Sequence, residues 1–67
     1  MKNLDYKNTF LKIYSLYKGY IYYTNEELNI HIKGCIDSRD KLSGVEDLER
    51  LSELTDFEFI DKTDLKL

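Results

Sequence analysis

Apolar residues recur at helical spacing near the start of the chain. Phe10, Ile13, Tyr14 and Tyr17 fall at i, i+3, i+4 and i+7, with Tyr6 one turn earlier and Leu16 and Tyr20 widening the stripe. This pattern predicts an amphipathic helix over about residues 4–18. Gly19 follows Lys18 as a stop signal, since the residue past a helix end often needs positive φ and a terminal cation suits the helix dipole. Tyr20-Ile21-Tyr22-Tyr23 is aromatic and β-branched, and predicts a short strand.

Two signals compete in the next segment. Thr24-Asn25-Glu26-Glu27 has the spacing of a capping box and predicts a second helix. Against it, Leu28, Ile30, Ile32 and Ile36 alternate with polar or small residues, the period of a half-buried strand. A helix there would place Ile30 about 160° from Ile32 and expose one of them. Both readings stay open: a helix over residues 25–33, or a hairpin pairing Tyr20–Thr24 with Leu28–Lys33.

Further on, Ser43-Gly44-Val45-Glu46 repeats the capping-box spacing ahead of Val45, Leu48, Leu51 and Leu54, and Glu46 stands four residues before Arg50. A helix from about 44 to 54 is predicted. Phe57-Glu58-Phe59-Ile60 and Leu65-Lys66-Leu67 flank a polar stretch and predict a closing hairpin. The expected fold is therefore one small α+β domain over residues 1–67. It has an N-terminal helix, a short strand or hairpin, a C-terminal helix and a final β-hairpin.

Composition narrows the function classes. The chain has 67 residues, nine aromatics of which six are tyrosine, and a net charge of −3, which suits one compact core and no second domain. A lone cysteine allows no internal disulfide, and no charged-then-apolar leader opens the chain, so the expected compartment is the cytoplasm. No apolar run approaches the roughly 20 residues of a membrane span. A basic amphipathic first helix lying on a membrane is set aside, because its apolar face is more simply the core.

His31 and Cys35 would share a helix face, but they are two metal ligands where zinc needs four, so no metal is expected. Cys35 with His31 as base lacks any oxyanion-hole motif, and Gly19, Gly34 and Gly44 lie too far apart to cradle phosphate. Neither an enzyme nor a cofactor is expected.

The order of elements carries one resemblance. The stretch Lys18-Gly19-Tyr20-Ile21-Tyr22-Tyr23-Thr24-Asn25-Glu26-Glu27-Leu28 resembles the link between the first two helices of winged helix-turn-helix domains, and Ser38-Arg39 resembles the entry to their recognition helix. The resemblance implies a helix starting near Ser38 in the major groove of DNA. Lys33, Ser38, Arg39 and Lys41 would then be nucleic-acid contacts and the final hairpin a wing.

Charge opposes that assignment. Residues 1–23 hold four lysines against Asp5, a balance of +3, whereas residues 37–67 hold ten acids against five bases, a balance of −5. A C-terminal half of that sign repels DNA. The preferred expectation is a non-catalytic regulatory or inhibitory protein that binds another protein, including a nucleic-acid-binding one. Its contacts would be Tyr14, Tyr17, Tyr20, Tyr22 and Tyr23 together with Glu46, Glu49 and Glu53. Dimerisation through the same tyrosines is a further expectation.

Overall fold

The first apolar stripe forms a strand, and strands dominate the described residues. A computed structural model describes residues 4–35 and 43–66. It shows strands β1 (Phe10–Tyr17), β2 (Tyr20–Asn25), β3 (Ile30–Cys35) and β4 (Val45–Asp47), helix α1 (Leu48–Leu54), strand β5 (Phe57–Phe59) and a 3-10 turn at Lys62–Asp64. The strands make one antiparallel sheet in the order β4-β1-β2-β3-β5. This corrects the expected α+β arrangement of N-terminal helix, C-terminal helix and winged hairpin. The winged-helix likeness falls with it.

A bulge explains why β1 has helical spacing. Ile13 pairs with Tyr23 and Ser15 with Tyr22, so Tyr14 is an extra residue in the ladder. An extra residue shifts the alternation by one. Leu11 and Ile13 lie on one face before the bulge and Leu16 lies on that face after it, opposite Ile21. The three-residue step from Ile13 to Leu16, which reads as a helix turn, is therefore a strand step plus a bulge.

Gly19 does take positive φ, at 85°, and Lys18 takes 49°. The two form the central pair of a tight hairpin between Tyr17 and Tyr20, where a type I′ turn needs both residues left-handed. The next hairpin settles the competition over residues 25–33 in favour of alternation. β2 and β3 pair from Tyr20↔Cys35 to Asn25↔Ile30. The capping-box helix does not form, because Asn25 Oδ1 accepts from the Leu28 N–H (3.0 Å) and closes the turn, leaving Leu28 exposed within it.

The helix expected from about 44 starts at Leu48. Only half of the box forms: Glu46 Oε2 accepts from the Ser43 N–H (2.7 Å), but the Ser43 hydroxyl donates to the same carboxylate (2.8 Å), and Gly44 takes positive φ, at 101°, ahead of β4. Asp47 is the true cap, its Oδ1 accepting from the Arg50 N–H (2.7 Å). α1 joins the edge strand β4 to the opposite edge strand β5 and so crosses one face of the sheet. Leu48 and Leu51 are fully buried there with Leu11, Ile21, Tyr23, Ile30 and Ile32, and Leu4 and Phe57 pack at the margin. Gly34 leaves room for the end of this crossover, since a Cβ there would lie 3.0 Å from Thr55 Cγ2 and 3.1 Å from its Oγ1. Thr55 Oγ1 donates to the Cys35 carbonyl.

The expected closing hairpin is absent: β5 pairs with β3, and the chain from Ile60 onward returns over the sheet face remote from α1. The Ile60 N–H donates to the His31 carbonyl (2.9 Å), and the Ser15 hydroxyl donates to the Lys66 carbonyl. This segment accounts for the burial of Tyr22 and His31, which are only 3% and 5% exposed on a face that α1 does not cover.

Candidate protein-binding surface

The type I′ turn sets Tyr17 and Tyr20 side by side as a cross-strand pair at the tip of the first hairpin. Both rings lie on the face remote from α1 and are partly solvent-exposed. Lys18 Nζ sits 5.3 Å from the Tyr17 ring centroid and Lys33 Nζ 4.1 Å from that of Tyr20. Each ring thus carries a cation over its face, an arrangement in which the quadrupole attracts the ammonium. Lys33 reaches Tyr20 because it stands opposite Tyr22, one step along the ladder.

The bulge presents Tyr14 on the same face. Tyr14 lines a cavity of about 180 Å³ with Thr24, Glu26, His31, Lys62 and Leu65, beneath the returning C-terminal segment. Phe10, Lys12 and Tyr14 also line an open groove of about 580 Å³, along with Thr24, Glu26 and Glu27. Residues 6–25 contain three lysines and no acid. Lysines stand over Tyr17 and Tyr20, while Glu26 and Glu27 border Tyr14, and Asp56 and Glu58 share a hollow with Tyr20.

The structure does not bring together the remaining expected contacts. Tyr22 is buried under the C-terminal segment and Tyr23 lies fully in the core. Glu46 is buried beside the core, held by Ser43. Glu49 and Glu53 are exposed on α1, across the sheet from the tyrosines. A single surface combining tyrosines with helix acids is thus corrected to two surfaces on opposite faces. Lys33 is half-buried against Tyr20 and has no place in a recognition helix. Ser38, Arg39 and Lys41 lie outside the described residues.

Phe10 and Leu16 are exposed members of the hairpin that sequence reasoning assigned to a core stripe. Once β1 is a strand, each has a defined face, and a search for a strand broken by one extra residue would have found them.

His31 and Cys35 share a face of β3, four residues apart on a strand and so about 13 Å apart, too far to share a metal or a proton. Among the described residues no three His, Cys, Asp or Glu side chains converge as a metal site. His31 Nε2 pairs with Asn29 Oδ1 (3.0 Å), while Nδ1 is buried with no partner among the described residues. The Tyr23 hydroxyl is in the same position. Burial, and then the nearby Glu46 carboxylate, push its pKa up to about 12. Among the described residues no helix is long and apolar enough to cross a membrane.

No protein-family model, curated protein or solved structure matches this chain.

Proposed function

We propose that this is a non-catalytic regulatory or inhibitory protein that binds an acidic patch on another protein through its first hairpin. The contact residues are Tyr14, Tyr17 and Tyr20, flanked by Phe10, Lys12, Lys18 and Lys33. One observation carries the reading: two neighbouring tyrosine rings, each with a lysine over it, stand exposed on a stretch of chain with no carboxylate. Rigid amphipathic rings offer contact area with little rotamer entropy to lose, and the lysines favour an anionic partner. Glu49 and Glu53 are not part of this surface.

The test is capture of partners from a nuclease-treated host lysate by tagged protein. Tyr17→Ala combined with Tyr20→Ala should remove a stoichiometric partner that the unaltered chain retains, with the fold intact by circular dichroism. Lys18→Glu should weaken its capture, and Glu49→Lys should leave it unchanged. Equal capture by the tyrosine variant, or recovery of nucleic acid alone before nuclease treatment, would refute the reading.

A further inference from the structure

β5 ends the sheet on the side away from β4, so one of its backbone edges faces outward. The hydrogen bonds fix which groups lie on it. The Cys35 N–H donates to the Asp56 carbonyl (3.2 Å) and the Ile60 N–H donates to the His31 carbonyl (2.9 Å), with Glu58 opposite Lys33 between them. In an antiparallel ladder the bonded pairs alternate, so Asp56, Glu58 and Ile60 turn their polar groups toward β3. Phe57 and Phe59 therefore turn their N–H and C=O groups outward. Among the described residues these four groups have no partner.

The side chains along this edge separate by face. Phe57 and Phe59 lie on the core side, their rings edge to face at 5.7 Å, and Phe59 is 50% exposed. Glu58 lies on the other side, and with Asp61 and Asp64 it lines a hollow of about 390 Å³ that Phe59 and Ile60 also border at the end of the strand. Asp56 is also exposed at the start of the strand. The nearby bases are Lys62 in the 3-10 turn and Lys33, whose ammonium is held over Tyr20. An unpaired strand edge is a template for another strand, and its neighbours select the sequence it accepts.

We infer that β5 is a docking edge for an extended segment of another protein in which lysine or arginine alternates with aliphatic residues. The segment adds a sixth strand, bonds to Phe57 and Phe59, lays its aliphatic side chains against their rings and sets its cations over Glu58, Asp61 and Asp64. A second copy of β5 is disfavoured in this place, because antiparallel self-pairing centred on Glu58 sets that carboxylate against its own copy. This edge adjoins the tyrosine surface at Tyr20 and Lys33, which line one hollow with Asp56, Phe57 and Glu58, but it lies three strands from Tyr17 and stands whether or not the hairpin binds a partner.

The probe is an end-blocked peptide of about ten residues alternating lysine and valine, titrated into the full isotope-labelled chain and followed by amide chemical shifts. The largest shifts should fall on Phe57, Glu58 and Phe59. Methylating the backbone nitrogens that face β5 keeps the peptide charge and should weaken binding about tenfold. Glu58→Lys should weaken it several-fold, whereas Tyr17→Ala should not, which separates this surface from the hairpin. A glutamate–valine peptide should not bind. Shifts centred on Glu49 and Glu53, or no effect of backbone methylation, would overturn the inference by reducing it to charge attraction. Concentration-dependent doubling of mass lost in Phe59→Pro would overturn it in favour of self-pairing.

Discussion

Replacing Tyr23 with phenylalanine removes a buried hydroxyl that has no partner among the described residues. Tyr23 is fully buried among Leu11, Ile21, Ile32, Leu48 and Leu51, and its hydroxyl makes no hydrogen bond among the described residues. Burying an unsatisfied hydroxyl costs about 1–3 kcal/mol, and deleting it forfeits only the contacts of one oxygen. Tyr23→Phe should therefore gain about 1 kcal/mol at neutral pH, equivalent to roughly 4–8 °C in Tm for a domain of this size.

Alkaline pH enlarges the difference. The folded-state pKa of Tyr23 is raised from 10.0 to about 12, by burial first and by Glu46 second. The unfolded chain therefore ionises this tyrosine before the folded chain does. The stabilising effect of keeping it neutral is complete below pH 10 and is lost as pH rises through 12. Across that window the unaltered chain should lose up to about 2 kcal/mol relative to Tyr23→Phe. Urea unfolding of both proteins at several pH values measures the gap, and ionisation followed by absorbance near 295 nm should lack its latest step in the variant. A variant less stable than its parent by more than about 1 kcal/mol would show that the hydroxyl has a partner, and a gap that stays constant with pH would refute the linkage.

Two further substitutions probe the crossover that closes the core. Gly34→Ala drives a methyl to 3.0 Å from Thr55 Cγ2 and should cost about 1–3 kcal/mol, with Thr55→Ser in the same chain recovering part of the loss in thermal melts. Asp47→Ala removes the α1 cap on the Arg50 N–H and should cost about 1 kcal/mol in urea unfolding, whereas Asp47→Asn should retain most of it.

Sequence periodicity located β2, left the β3 segment open between helix and strand, and misassigned β1, and the cause is local. A helix and a bulged strand both place apolar residues three apart. Nothing in Phe10-Leu11-Lys12-Ile13-Tyr14-Ser15-Leu16-Tyr17 separates the two except the aromatic and β-branched content that favours a pleated surface. Gly19 takes positive φ at a hairpin turn and not at the helix stop expected there, because both need that conformation. Both capping boxes misled for the same reason. Their side chains can satisfy backbone groups in an extended turn, as Ser43 and Glu46 do without any helix between them.

The candidate surface was legible only as a set of residue types. Its division depends on register and crossover, which composition does not carry. Because β1, β2 and β3 form a meander, the lysines and tyrosines of the N-terminal half stay together on neighbouring strands. Because α1 then passes beneath the sheet to reach the far edge, Glu49 and Glu53 are carried to the opposite face and Glu58 to the last strand. The charge asymmetry read along the chain thus survives only in part in space: Lys18 sits at the tip of the first hairpin and acids line β5, but Lys33 and Glu58 face each other where the two regions meet. If both proposed contacts exist, they lie three strands apart at Tyr17 and Glu58. Tyr17→Ala and Glu58→Lys should therefore weaken different contacts, with additive effects rather than the coupling that one shared contact would produce.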